Sequence, residues 1–494
     1  VTSTRSALAV RSEVRLKADK SRVITQLFVP GQEGFEHRES RAGAVLRRVL
    51  ALDEVAVRGA LDDVLTRFAG RHRDVADTFR RHARELADRL DRGVELSEER
   101  MLLVGAAFTS EYAIEGAALC NPSIVVHPDQ SGVPAGSVRF VMSVRGIGEG
   151  HRSSIGFRTG TVAADGAITL DAKPAYATVG VTEAAPLDAA VFRSELARVG
   201  EAGETADYVL NGLGARFTRA DLNERLDRLR TQLSTRGNAS HTITAIRTIA
   251  ERAYGIGFAV EVPLSERVMM PAMAAEAAGM EDARFVRFVD DDGSVTFYAS
   301  YTAYSGSVIS QQLLETRDFR TFTSMPMVGA AAANKGLGLF PRRIDGRFAA
   351  LSRSDRETNS VGFSDHRCVW PDASPGQQPA EAWEVVQLGN CGPPIETDDG
   401  WLVLTHGVGP MRTYRIGALL LDLADPTRVI GQLRQPLLSP SADEQDGYVP
   451  NVVYSCGALV HNGTLVIPYG IGDAAIGFAT VALPALLAAL REQP

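Results

Sequence analysis

The residues most able to do chemistry in this chain are polar ones set among apolar runs. Glu281-Asp282-Ala283-Arg284 stands directly before a strand-like stretch. Adjacent carboxylates beside an arginine are either a charge cluster or ion pair, or a carboxyl prepared as a general acid while the arginine holds its neighbour. Arg145 closes an apolar run, with Gly148, Glu149, Gly150, His151 and Arg152 behind it. That glycine pattern lacks the Lys-Ser/Thr of a phosphate loop and no helix pattern follows, which argues against a nucleotide. Lys335 sits in the apolar, glycine-rich stretch from Asn334 to Pro341 and suggests an anionic partner. His406 follows Trp401-Leu402-Val403-Leu404 and is either a satisfied core histidine or a ligand. Asn121, before Pro122, fits a turn or a binding group. Tyr301 and Tyr304 combine aromatic faces with hydroxyls, as sugar sites do and as cores do. Asn451 lies in the stretch from Gly447 to Tyr454, and Asp473 interrupts an apolar hairpin, the type of residue a shared central cavity would use. No GxSxG, HExxH or CxxC motif is present.

Such residues need elements to bring them together. After residue 120 the chain consists of short apolar runs broken by Gly, Asp and Ser. Five runs share a form: a glycine turn, an apolar strand, a polar break and a second β-rich run. They begin at Gly136, Gly293, Gly346, Gly400 and Gly463. The last four starts are 53, 54 and 63 residues apart, which suits a propeller blade of about four strands. A β-sandwich built of the same hairpins would read similarly. The first gap is longer because residues from about 185 to 255 have helical spacing, as in Arg219-Ala220-Asp221-Leu222-Asn223-Glu224-Arg225-Leu226. Residues 1–115 form an N-terminal helical region: apolar Leu46, Leu50, Val57 and Leu61, then Phe68, Phe79, Leu86 and Leu90, recur at helical intervals among charged residues. The expectation is a mainly β protein, with a five-bladed propeller over 116–494 and a helical insertion after its first blade.

Composition narrows the function. Of 494 residues, 45% are hydrophobic and 23% charged, an ordinary globular balance. The net charge of −8, from 52 basic and 60 acidic residues, argues against nucleic acid. The longest strongly apolar stretch, Phe478 to Leu490, is short for a bilayer and contains Pro484, so no membrane association is expected. Arg5, Arg11, Arg15 and Lys17 interrupt any secretory pattern, and the expected location is the cytoplasm. Cys120, Cys368, Cys391 and Cys456 are far apart, so buried free thiols are expected rather than disulfides or a metal site.

Taken in order, the motifs resemble glycoside hydrolase family 130, the β-mannoside phosphorylases and related β-mannosidases. The stretches carrying the resemblance include GMEDARF with SYTAYS, NKGLGLFPRRIDGRFAALSRSD, CGPPIETDDGWLVLTHGV, VPNVVYSCG and PYGIGD. The N-terminal helices and the insertion look like those of a longer subgroup. The resemblance implies a five-bladed propeller. It also implies cleavage of a β-mannoside oligosaccharide by inorganic phosphate, with inversion and release of α-mannose 1-phosphate. Asp282 matches the family's general acid, although Ala283 stands where proline is usual. That acid is thought to work through a sugar hydroxyl. Sugar contacts are implied at Asn121, Arg145 and Asp473, and Tyr301, Tyr304 and Asn451 join them as expected substrate contacts. Compact phosphorylases of the family hold phosphate with an arginine after the SYTAYS-like strand, a lysine and the histidine of HGV. Here His406 is present, no arginine follows Tyr304, and Gln387 stands about where the lysine would be. Lys335, His151, Arg152, Arg412 and Arg415 could rebuild the anion site. The alternatives are an inverting β-mannosidase with Glu396 or Glu444 as base, or a non-catalytic propeller that binds sugar or protein. No metal or organic cofactor is expected, phosphate being the co-substrate. The helical additions are candidates for subunit contacts in a homo-oligomer.

Overall fold

The computed structural model describes residues 8–31, 40–86, 96–232 and 239–492. The chain divides into two compact units. One is Val1–Ala18, Ala117–Lys173 and Val179–Pro494; the other is Asp19–Gly116 with Pro174–Thr178.

The smaller unit holds the helices Arg41–Leu50, Glu54–Phe68, Val75–Glu85 and Glu98–Ala107. Each begins where a short polar side chain accepts a hydrogen bond from an otherwise unpaired backbone N–H. Ser40, Asp53, Asp74 and Ser97 play this part. The apolar run from Val64 to Leu90 is therefore not one helix: the chain leaves helix after Phe68 and Asp74 restarts it. Leu90 lies outside the described residues. The expected stripe survives as the packing of Leu61, Val75, Phe79 and Leu102. The unit is not purely helical, because Val23–Leu27 pairs antiparallel with Thr109–Ala113.

The larger unit contains five antiparallel meanders. The first runs Ala118–Val126, Val138–Ile147, Ser153–Val162 and Ile168–Leu170. The second runs Gly279–Val289, Val295–Tyr304, Ile309–Thr316 and Thr321–Pro326. The third is Gly338–Leu339, Phe348–Ser352, Asn359–Ser364 and Ser374–Gln377. The fourth opens with Gln387–Asn390 and Ile395–Thr397, both paired to Gly400–Gly409, and continues through Thr413–Leu421 and Val429–Gln432. The fifth opens with Val453–Tyr454 and Leu459–His461, followed by Thr464–Ile471 and Ala475–Ala482. Its outer strand is Ala9–Lys17, from the other end of the chain. The expected boundary at residue 115 is thus corrected at one point. Residues 8–18 belong with the β unit, because Ala9–Lys17 covers a sheet edge that would otherwise be left unpaired.

Consecutive meanders touch in sequence at or near their opening strands, the second through its second strand as well. Phe285 N–H donates to Ser123 Oγ at 3.0 Å, joining the first to the second. Ser300 Oγ–H donates to the Leu337 carbonyl, and Asn390 Nδ2 donates to the Gly336 carbonyl at 2.6 Å. A Cβ on Gly392, whose φ is +135°, would fall 2.4 Å from the Cys456 carbonyl oxygen, so only glycine allows this approach. Cys456 N–H donates to the Pro122 carbonyl at 2.8 Å, returning to the first.

The insertion after the first meander holds the helices Ala189–Arg198, Glu204–Asn211, Arg219–Gln232 and Ser240–Glu251. Its flanking strands, Val181–Ala184 and Tyr254–Gly257, pair with each other, and the latter also pairs with Thr321–Pro326. The insertion therefore widens the second meander. Its apolar faces share one core with Phe288, Met325 and Trp370. All four cysteines are free and buried. No helix among the described residues is long and apolar enough to cross a membrane.

A buried carboxylate ties the insertion to the sheet. Glu276 is fully buried and accepts from Tyr254 Oη–H at 2.9 Å, from Tyr301 Oη–H and from Ala272 N–H at 2.9 Å. Burial raises its pKa against these donors. Removing one hydroxyl from a buried carboxylate's shell should cost about 1–3 kcal/mol. Tyr254→Phe is expected to lower stability by that much in urea denaturation without changing the fold, read by circular dichroism.

Candidate active site

Asn121, Asp282 and Asp473, among the expected site residues, occupy backbone corners that most side chains avoid. Asn121 and Asp282 have φ of +49° and +54°. Each lies where the register of its strand shifts, between Cys120 and Ser123 and between Glu281 and Arg284. Asp473, at φ +49°, turns the last hairpin of the fifth meander. Such bulges re-aim a side chain out of the strand's alternation at a conformational cost, and they gather at functional sites.

These corners face one polar cavity of about 230 Å³. Asn121 and Arg145 come from the first meander, and Glu281 and Asp282 from the second. Lys335 and Arg353 come from the third, Gln387, His406 and Arg412 from the fourth, and Tyr454 and Asp473 from the fifth. Tyr414, Val449 and Val452 complete the lining.

Asp282 sits between two guanidiniums. Arg145 Nη1 lies 3.6 Å from its Oδ1, and Arg284 Nη2 lies 3.8 Å from its Oδ2. Arg145 is pinned by Glu281, whose carboxylate accepts from Nη2 at 2.6 Å. Arg284 donates to the Asp282 carbonyl at 2.9 Å and to Tyr454 Oη at 2.8 Å. Burial opposes ionisation of Asp282, but Arg284, Arg145, Lys335 and Arg353 outweigh it and hold the carboxyl below its usual range. Asp473 goes the other way: burial and the charge of Asp282 push it up to about 6, against Arg145, Arg412 and Lys335. Of the cavity's three carboxyls, Glu281 is paired with Arg145, Asp282 is held ionised, and Asp473 gains its proton near pH 6.

His406 is buried, and burial together with Arg353 and Arg284 drives its pKa well below the ordinary histidine value. Its neutral ring lies with Nδ1 3.1 Å from the Asn390 carbonyl and Nε2 2.8 Å from Arg353 Nη1. A carbonyl only accepts, so Nδ1 carries the proton and Nε2 accepts from the arginine. His406 therefore braces Arg353. Gly389 permits this, since a Cβ there would fall 2.5 Å from His406 Cε1 and 2.7 Å from Arg353 Cδ. Asn121 Oδ1, Asp282 Oδ1, Arg145 Nε and Arg353 Nε are buried without a hydrogen-bond partner within the protein. So many unpaired polar atoms around one space mark a site for a polar ligand.

Other expected residues are elsewhere. Tyr301 is buried with Glu276 and Ser324, and Tyr304 Oη–H donates to the Gly306 carbonyl at 2.7 Å. His151 Nδ1 pairs with Tyr448 Oη, and Arg152 Nη2 donates to the Pro271 carbonyl at 3.3 Å. Asn451 uses its backbone, N–H to the Gln445 carbonyl and carbonyl to Tyr414 N–H, while its neighbour Val452 lines the cavity. Glu444 is buried under Arg11 and Tyr469. Glu396 pairs with Arg342 at 2.7 Å, beside a separate apolar cavity of about 500 Å³ formed by other segments of the same opening strands. These seven were chosen by residue type near a motif; Tyr301, Tyr304 and Glu396 lie in strands, where alternation decides which face a side chain takes, and His151, Arg152, Asn451 and Glu444 lie outside strands with partners of their own. Arg353, Tyr414 and Tyr454 were missed as cavity residues. Arg353 had a legible signal: like Arg145 and His406, it is a polar residue at or near the end of a meander's long apolar second strand.

A buried carboxyl among arginines, facing a lysine and a braced arginine, makes a polar site equipped to hold an anion and to move a proton. A family model described as β-1,4-mannooligosaccharide phosphorylase matches residues 233–492, and the chain belongs to this family, glycoside hydrolase family 130. A 1,2-β-oligomannan phosphorylase from Thermoanaerobacter sp. (strain X514) is 34% identical over 229 residues, 46% of this chain and 74% of the relative. A β-1,2-mannobiose phosphorylase from the same organism is 33% identical over 224 residues, 43% and 70% of the two chains. A solved β-1,2-mannobiose phosphorylase from Listeria innocua aligns with 77% of this chain and 94% of its own, at 20% identity and a TM-score of 0.45.

Sulfate, which does not titrate in this range, tests the anion pole. Protonating Asp473 removes a negative charge from the cavity, so sulfate should bind more tightly as pH falls through about 6. In Asp473→Asn the sulfate affinity, followed by calorimetry, should be flat across that window. Arg353→Ala should abolish the rise in melting temperature that sulfate gives the unaltered protein.

Proposed function

We propose that this enzyme cleaves β-1,2-linked mannooligosaccharides by inverting phosphorolysis and releases α-mannose 1-phosphate. The observation that carries the reading is the division of the cavity into two poles. Lys335 and Arg353, braced by His406, form a cationic pole, and Asp282 with Asn121, Arg145 and Asp473 forms the other. Phosphate held at the first pole attacks the anomeric carbon. The phosphate oxygen–carbon bond forms as the glycosidic carbon–oxygen bond breaks, and the departing oxygen takes the proton of Asp282, relayed through a sugar hydroxyl. Arg284, Arg145, Lys335 and Arg353 hold Asp282 ionised. Bound phosphate offsets Lys335 and Arg353, raises the proton affinity of Asp282 and so prepares the acid only when the nucleophile is present.

Hydrolysis with inversion needs a second carboxylate to activate water. Glu396 and Glu444, the expected bases, are held in ion pairs away from the cavity; of the carboxyls beside Asp282 in the cavity, Glu281 is bound to Arg145, which leaves Asp473 as the candidate base for hydrolysis. The β-1,2 linkage rests on the relatives named above. The five meanders, touching in order at or near their opening strands, are read as five propeller blades, with Ala9–Lys17 closing the fifth. A charged sugar phosphate is retained by a membrane, which suits a cytoplasmic enzyme.

Incubation with β-1,2-mannotriose should give mannose 1-phosphate only when phosphate is present. Free mannose at equal rates with and without phosphate would replace this reading with hydrolysis. Asp282→Asn should keep the fold and lose about 10²–10⁴-fold in kcat.

A further inference from the structure

We infer that His151 and Tyr448 form the platform on which the departing saccharide rests, and that they set the preference for chain length. This rests on the phosphorolysis reading above. His151 stands at the turn after Val138–Ile147, and Tyr448 lies in the link between the fourth and fifth meanders. Gly150 and His151 have φ of +67° and +61°, two successive left-handed residues that turn the chain sharply. The imidazole Nδ1 meets the Tyr448 hydroxyl, and the ring centroids are 5.9 Å apart at 38°. Tyr448 is 42% exposed. One loop therefore fixes the hydroxyl end of a ring that still offers surface to a ligand. The adjacent Val449 lines the cavity, which places the pair at its mouth.

The poles decide which part of the substrate meets this pair. Lys335, Arg353 and His406 belong to the third and fourth meanders. In a ring of five the first meander stands across from the junction of those two. In-line displacement sends the leaving group out opposite the attacking phosphate, toward the first meander and its His151 turn. A mannosyl unit emerging there can lay its C–H face on the Tyr448 ring, the mixed apolar and polar contact that tyrosine provides.

The reverse reaction separates this role from others, because donor and acceptor are then different molecules. With α-mannose 1-phosphate as donor, Tyr448→Ala should raise the KM of β-1,2-mannobiose as acceptor about tenfold and leave that of the donor within about twofold. The effect should be smaller with mannose as acceptor. Tyr448→Phe and His151→Ala, which cut only the tether, should raise the acceptor KM about two- to threefold. Equal shifts in donor and acceptor KM, or an unchanged acceptor KM in Tyr448→Ala, would overturn the platform. If the unaltered enzyme turns over no β-1,2-mannoside, the phosphorolysis reading is what fails. Calorimetric binding of β-1,2-mannotriose then decides the platform: weaker binding in Tyr448→Ala upholds it, and equal binding removes it.

Discussion

A carboxylate kept ionised in the interior of a β protein is the constraint on which the site depends. Isolated, Asp282 would take up a proton or stay in water. Arg145 and Arg284 make its charge tolerable, and each needs its own support. Glu281 holds Arg145, while Arg284 is held by the Asp282 carbonyl and by Tyr454 from the fifth meander. The charge of one side chain thus reaches the first, second and fifth meanders. Truncating one member of such a group leaves the rest buried and unpaired, which is why buried ionic groups are costly to break.

The same charges divide the cavity's chemistry. Burial, and then the charge that Asp282 keeps, raise the pKa of Asp473. Because Arg353 must approach His406, position 389 has to be glycine. Because His406 is neutral and accepts from Arg353, its part is to aim the arginine. An anion pole of one half-buried lysine and one braced arginine is compact, and it needs neither the glutamine at 387 to be a lysine nor an arginine after Tyr304.

Elements outside the meanders are used as structure. Ala9–Lys17 covers the edge of the fifth sheet. The insertion extends the second sheet through Tyr254–Gly257 and locks onto it through the Glu276 cluster. Tyr301 was expected at the sugar and serves that lock instead, because its neighbours in strand order face the opposite side of the sheet.

The sequence by itself determined the local periods: five β repeats, the amphipathic helical spacing, the insertion, and the motif carrying Asp282. Apolar spacing and glycine turns act over a few residues and can be read without a partner. It also marked Arg145, Lys335, His406 and Asp473, since polar residues beside or inside apolar runs need a reason to be there, and Asn121 as a residue before proline, while Arg412 entered through the family resemblance. Only the tertiary structure decided which polar residues share a space. Glu396 and Glu444 have the right chemistry and face ion pairs elsewhere, and Arg353 and Tyr454 entered the site from strands distant in sequence. Whether a side chain points into a cavity depends on bulges, on left-handed corners and on which meander lies beside which, all set by contacts between residues hundreds of positions apart.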